Sequence, residues 1–284
     1  MASLLRLAGG ASPDTEFLTP FRVEHALVGH PLLQREAIAT LADRLGPGHI
    51  EVGSDSDAIV MGLDYQRQLL DGSASAAVQA LENEGRSLYF YNIESDAQAA
   101  PLVEELIEIG RGFLGVEQAD IVSKEGYLFI SGDTAVTGAH VDHECNFLLV
   151  TQGHKRVWIA SVGDPEGEIA LEALHSGRYG ACGARPQTMH AYELEPGQGV
   201  FIPPRAAHYV ENGPGPCTAL SVVFLHRLTR DEVPIYAWNA RLRTLGIDPT
   251  APGRSPWRDR LKRDTFTIAH AIWDRRPHRL GARR

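Results

Sequence analysis

LFISGDTAVTGAHVDHECNFLLVTQGHKRVWIA, residues 128–160, decides how the fold is read. Three apolar runs of strand length, LFIS, FLLVTQ and KRVWIA, are separated by segments rich in Gly, Asp, Thr and His. The same texture extends outward on both sides. SLYFYNI begins at Ser87, and HAYELE, GVFIPP, HYVEN and ALSVVFLH follow up to His226. Gly197 and Gly199 frame a tight turn before VFIPP. Many short strands punctuated by turn signals imply a mainly β domain of sandwich or jelly-roll type with flanking helices.

The flanks read differently. Residues 1–30 look irregular, broken by Gly9-Gly10, Pro13 and Pro20. After His30-Pro31, Leu32, Leu33, Ala37, Ile38, Leu41 and Leu45 recur at helical spacing until Gly46-Pro47-Gly48 ends the run. Further helices are expected near 75–84 and over 97–114, the latter with Leu102, Leu106, Ile109 and Phe113 on one face. From Thr229 the chain turns helical and basic, broken at residues 248–256. The expected organisation is an N-terminal helical and irregular flank (1–86), a β-barrel (87–228) and a basic C-terminal helical extension (229–284).

Composition narrows the class. The chain is 43% hydrophobic and 22% charged, as in globular proteins. No window approaches an uninterrupted transmembrane length, and the N-terminus lacks a signal-peptide core, so a cytoplasmic protein without membrane association is expected. Three widely spaced cysteines, Cys145, Cys182 and Cys217, form no CxxC pair and suggest neither a disulfide framework nor a zinc ribbon. The net charge of −9 argues against nucleic acid as a partner. It is uneven, because Arg254 to Arg284 hold ten Lys/Arg against three Asp/Glu; that tail reads as a solvated segment pairing with acidic surface elsewhere, or as a contact for nucleic acid or an acidic partner.

His140-Val141-Asp142 carries the chemistry. On a strand, residues i and i+2 share a face, so an H-x-D pair aims an imidazole and a carboxylate at one point. His208, in GQGVFIPPRAAHYVEN (197–212), follows a strand and a Pro-Pro bend that return the chain to the same barrel mouth. Two histidines and one carboxylate with the opposite face open suit non-haem iron(II) oxygen chemistry. His190, in HAYELE, is the rival for the third ligand but lacks the Pro-Pro context. His143 points away from the His140/Asp142 face, His154, His175, His190 and His226 read as surface or barrel-wall residues, and Cys145 as a small buried residue.

With these residues in view, the segment 128–160 resembles the JmjC/cupin-8 family of iron(II)- and 2-oxoglutarate-dependent oxygenases, and within it the asparaginyl hydroxylases that act on hypoxia-inducible factor. Thr137, His140, Asp142, Asn146 and Lys155 stand at that pattern's spacings, and FIPPRAAH matches its distal His motif. The resemblance covers about residues 87–226 and implies a double-stranded β-helix (cupin, jelly-roll) barrel. It implies Fe(II) held by His140, Asp142 and His208, with 2-oxoglutarate and O2 as co-substrates. Lys155 and Thr137 would then meet the distal carboxylate of 2-oxoglutarate, Asn146 would steady its chelating end, and Tyr89, in preference to Tyr91, would reach the co-substrate from the preceding strand. The chain departs from the pattern where Ala206 and Ala207 replace bulky aromatics before His208, and where ALSVVFL lacks a further polar residue.

The resulting expectation is a dioxygenase that hydroxylates a C–H bond of a protein, peptide or amino-acid substrate. N-methyl demethylation uses the same machinery and stays open, as does a non-catalytic cupin binding or regulatory module. A metal-dependent isomerase or dioxygenase of the wider cupin superfamily would need an HxH pair and a Glu, which HVDHE does not supply. The acidic charge favours a basic peptide or side chain on electrostatic steering. TFTIAHAIWD resembles the dimerising extensions of the family, with Ile268, Ile272 and Trp273 as an apolar face that would join a homodimer or pack back on the barrel.

Overall fold

CNFLLVTQ has no polar/apolar alternation because its strand is covered on both sides. This strand is β7 (Cys145–Gln152) of a computed structural model that describes residues 3–10, 17–53, 69–80 and 87–273, with the backbone alone described at 10, 80 and 267–273. Cys145, Phe147 and Leu149 face a layer of helices, whereas Leu148 and Val150 face the space between two sheets. The expected jelly-roll architecture is present.

The larger sheet, counted among the described residues, has eight strands. Its order runs from β1 (Leu5–Leu7) and β2 (Phe21–His25) through β10 (Gln198–Ile202), β7, β12 (Cys217–His226) and β5 (Ile121–Ser131) to β4 (Ser87–Phe90) and β3 (Ile50–Gly53). The facing sheet orders β6 (Val136–His140), β11 (His208–Asn212), β8 (Lys155–Ala160) and β9 (Met189–Leu194). Every strand pairing is antiparallel. Leu148, Val150, Val157, Ile159, Val200 and Ile202 fill the space between the sheets.

On the outer face of the large sheet lie α1 (Arg35–Leu45) and α3 (Ala100–Phe113). Ile38, Leu41, Leu102, Val103, Leu106 and Ile107 pack there against Phe90, Phe147, Phe201 and Phe224. A short helix, α2 (Ala74–Ala80), contacts α1, and residues 81–84 of the helix expected there lie outside the described residues. On the outer face of the small sheet, α4 (Pro165–His175) and α5 (Arg227–Thr244) cover Ala139, Val141 and Tyr209, and α6 (Pro256–Trp273) follows α5. The apolar face expected from Ile268, Ile272 and Trp273 and the tail from 274 onward lie outside the described side chains.

One expectation is corrected, and one element carries no expectation. Residues 1–30 are not wholly irregular: β2 pairs with β10 from Phe21↔Phe201 to Glu24↔Gln198, and β1 pairs with β2. The FRVEH alternation, with Phe21, Val23 and His25 buried, was the missed signal. The unexpected element is α4, which Asp164 caps by accepting a hydrogen bond from the Glu166 amide at 3.0 Å and whose first turn holds Pro165.

Candidate metal centre

β6 and β11 lie side by side, and their register sets His140 directly opposite His208. The two imidazole centroids are 4.2 Å apart. Each Nδ1 faces a backbone carbonyl two residues back, His140 to Gly138 at 2.8 Å and His208 to Ala206 at 3.0 Å. A carbonyl only accepts, so each Nδ1 carries the hydrogen and each Nε2 offers a lone pair. Both Nε2 atoms approach Asp142 Oδ2, at 3.9 Å from His140 and 3.6 Å from His208. Among the described residues, these three are the group whose ligand atoms converge, all within 4.8 Å of one another. Burial, with His140 alongside, holds the His208 imidazole well below its usual pKa, which keeps it in the neutral form that binds metal.

Asp142 reaches this point differently from the i, i+2 expectation. β6 ends at His140, and Asp142 stands in the connection that follows. That connection is held by backbone bonds: Val141 N–H donates to Gly180 O at 2.8 Å, and Arg205 N–H donates to Asp142 O at 2.7 Å. Gly180 has to be glycine, because a Cβ there would lie 2.6 Å from Val141 O.

Thr137 faces the same interior through a second irregularity. In a regular strand, residues three apart point to opposite faces. Here His140 pairs with His208 but Thr137 pairs with Val210, so β6 spends three steps where β11 spends two. The extra residue turns both side chains inward. Thr137 Oγ1 lies 3.4 Å from Tyr89 Oη, and the Tyr89 ring packs edge-on against Phe129. Tyr91 instead donates to Glu51 at 2.7 Å.

Lys155 opens β8 immediately after the turn at Gly153, whose φ of 72° suits glycine and where a Cβ would lie 2.5 Å from Pro216 O. It is only 4% exposed. Its ammonium donates to Asn212 Oδ1 at 2.5 Å and reaches Ser131 Oγ at 3.4 Å; no carboxylate pairs with it among the described residues. Burial pushes its pKa down. Although it follows a turn, Lys155 is buried because the first β8 residue faces the interior. Asn146 lies on β7 with its carbonyl accepting from Ser221 Oγ at 2.5 Å, so its NH2 is the end left for donation.

Register places the mouth of the barrel at the opposite end from Lys155. Val223 pairs with both Glu125 and Asn146, which sets Glu125 beyond the interior residue Tyr127. Tyr127 Oη donates to Glu125. Glu144, two residues before Asn146, receives the His143 amide at 3.1 Å. Burial, together with Asp142 and Glu125, pushes the Glu144 carboxyl well above the usual range. Tyr179 stacks against His140 at 6.2 Å between centroids. Ser131, Asn212, Ser221, Glu125, Glu144 and Tyr179 were not singled out in the sequence; the Ser and Asn residues carry no motif, and only the interior phase of their strands marks them. Among the described residues, the other histidines are not part of the converging group. The His143 ring lies 5.1 Å from that of His175 at a 55° tilt, His190 and His154 are exposed, and His226 accepts from Leu228 N at 3.0 Å to cap α5.

No family profile matches the chain, and no curated protein matches it in sequence. Solved structures do. The chain is similar in fold to the Escherichia coli ribosomal oxygenase YcfD, at 16% identity and a TM-score of 0.51, over 94% of this chain and 69% of that one. A structure of YcfD in complex with cobalt and 2-oxoglutarate is similar at 16% identity and a TM-score of 0.50, over 94% and 68% of the two chains.

Proposed function

We propose that this chain is an iron(II)- and 2-oxoglutarate-dependent oxygenase that hydroxylates a C–H bond in a protein side chain, a peptide or an amino acid. One observation carries the reading: a triad of two imidazoles, each with Nδ1 held by a backbone carbonyl, and a carboxylate shares a barrel interior with a buried ammonium whose partners among the described residues are Asn212 and Ser131. The triad suits iron(II) with exchangeable positions. The ammonium calls for an anion, since burying an unpaired charge costs several kcal/mol, of order 3–5 when a buried pair is broken. A small dicarboxylate that ligates metal at one end and meets Lys155 at the other satisfies both. The fold shared with YcfD, which has been crystallised with cobalt and 2-oxoglutarate, agrees with that ligand.

When bound, iron(II) and 2-oxoglutarate supply dioxygen activation coupled to decarboxylation of the co-substrate to succinate. The chain's own residues do the positioning. Lys155, held by Asn212 and Ser131, would take the distal carboxylate, with the Thr137 and Tyr89 hydroxyls beside it. Asn146, oriented by Ser221, would offer its NH2 to the chelating end. The Gly138 and Ala206 carbonyls keep each imidazole in the tautomer that presents Nε2.

Glu125 at the mouth favours a cationic side chain as the hydroxylated group. All three cysteines are free and buried, which suits a reducing cytoplasm. No helix among the described residues is long and apolar enough to cross a membrane. The test is a turnover screen with iron(II) and ascorbate over peptides and amino acids, reading succinate and a gain of one oxygen by mass spectrometry. Turnover should be greatest on cationic substrates, and E125Q should raise their KM. Iron-independent succinate, or none with any substrate together with no 2-oxoglutarate binding, would refute the proposal.

A further inference from the structure

Asp142 is a metal ligand without a strand to hold it, and the loop before His208 does the holding. The Arg205 N–H donates to Asp142 O at 2.7 Å, while the carbonyl of the next residue, Ala206, accepts from His208 Nδ1 at 3.0 Å. Two successive residues thus tie together the carboxylate ligand and the distal imidazole. Arg205 adopts φ 70°, a left-handed conformation that a non-glycine residue rarely holds without reason. Its side chain supplies the reason. The guanidinium is largely buried, 15% exposed, and donates to Glu232 on α5 at 2.8 Å. Tyr236 on α5 and Glu168 on α4 lie around it, joined to each other by a 3.3 Å hydrogen bond from Tyr236 Oη. α4 presses on the same loop: a Cβ at Gly167 would lie 3.4 Å from Ala207 Cβ and 3.7 Å from both Arg205 O and Val141 Cγ1.

We propose that Arg205 is a positioning residue for the metal centre, latching the Asp142 and His208 loops to the α4–α5 layer through Glu232. The inference rests on the metal-centre reading of His140, Asp142 and His208. Residues that orient metal ligands typically change metal affinity by about 10–100-fold when removed. The Arg205–Glu232 pair therefore sets affinity for the metal from outside the barrel, and the C-terminal helices take part in the site without reaching it.

The test uses the full-length protein, Co(II) as the probe, titration calorimetry and the visible Co(II) spectrum. Arg205→Gly removes the guanidinium while suiting the left-handed backbone, Glu232→Gln removes the acceptor charge, and Arg205→Lys restores a cation. Arg205→Gly and Glu232→Gln should each weaken Co(II) binding about 10–100-fold and alter the spectrum. The double variant should be no weaker than Arg205→Gly, and Arg205→Lys should recover part of the affinity. Binding within twofold of wild type in Glu232→Gln overturns the proposal, as do variants that lose unfolding midpoint but keep Co(II) affinity and spectrum. Should Arg205→Gly fail to fold, Glu232→Gln decides alone. A wild-type protein that takes up no Co(II) contradicts the metal-centre reading instead.

Discussion

Lys155→Met separates a ligand anchor from a structural lysine, because the two roles predict opposite signs. In the ligand-free protein Lys155 is 4% exposed, and the partners of its ammonium among the described residues are Asn212 and Ser131. Removing it abolishes a desolvation cost of several kcal/mol, while orphaning Asn212 Oδ1 costs about 1–3 kcal/mol. The ligand-free variant should thus be as stable as wild type or more so. Ligand binding moves the other way. Losing the partner of a buried carboxylate costs about 3–5 kcal/mol, or roughly a hundred- to several-thousand-fold in Kd for 2-oxoglutarate. The assay is thermal unfolding of the Co(II)-loaded proteins with and without 2-oxoglutarate. At a hundred times its Kd the ligand stabilises wild type by about 2.7 kcal/mol, a rise of about 5–10 °C for a domain of this size. Lys155→Met should show no rise at the same concentration. A variant that loses Tm without ligand and keeps the wild-type rise would refute the reasoning.

Other perturbations have defined signs. Burial and the neighbouring His143 hold the His175 pKa down to about 3, so protons bind preferentially to the unfolded chain. Its contribution is fully present above about pH 6.5 and declines below it, costing about 2 kcal/mol at pH 5 in denaturant unfolding of the metal-free protein; equal stability at pH 7.5 and pH 5 would contradict this. His208 adds in the same direction. Gly180→Ala drives a Cβ to 2.6 Å from Val141 O and should cost about 1–3 kcal/mol in chemical denaturation, with weaker Co(II) binding because the Asp142 connection shifts. Tyr89→Phe removes one hydroxyl near Thr137 and should raise the KM for 2-oxoglutarate about 2–10-fold at unchanged unfolding midpoint.

The sequence made the centre legible where spacing carries chemistry. His140, Asp142 and His208 were readable from H-x-D and the Pro-Pro bend, and the structure brings the three together. The route was misread for Asp142, which lies past the strand end, and the three-residue offset of Thr137 works only through a bulge that no residue type announces. Asn212 and Ser131 were invisible because a polar residue inside a strand looks the same whether it faces a ligand or solvent until the register is known. β1–β3 were missed because each is short and isolated in sequence, and the large sheet rather than local propensity fixes them. α4 was passed over because its Gly167, which lets the helix lie against residues 205–207, weakens its helical pattern.

The central claim is that one barrel holds iron(II) on His140, Asp142 and His208 and 2-oxoglutarate between that metal and Lys155. Anaerobic titration of 2-oxoglutarate into the iron(II)-loaded protein, followed by binding heat and visible absorption, tests both halves together. The account predicts one equivalent bound in wild type, none in iron-free Asp142→Ala, and binding weakened at least a hundredfold in Lys155→Met. Binding that survives loss of Asp142 and iron, or no binding with iron in place, would contradict it.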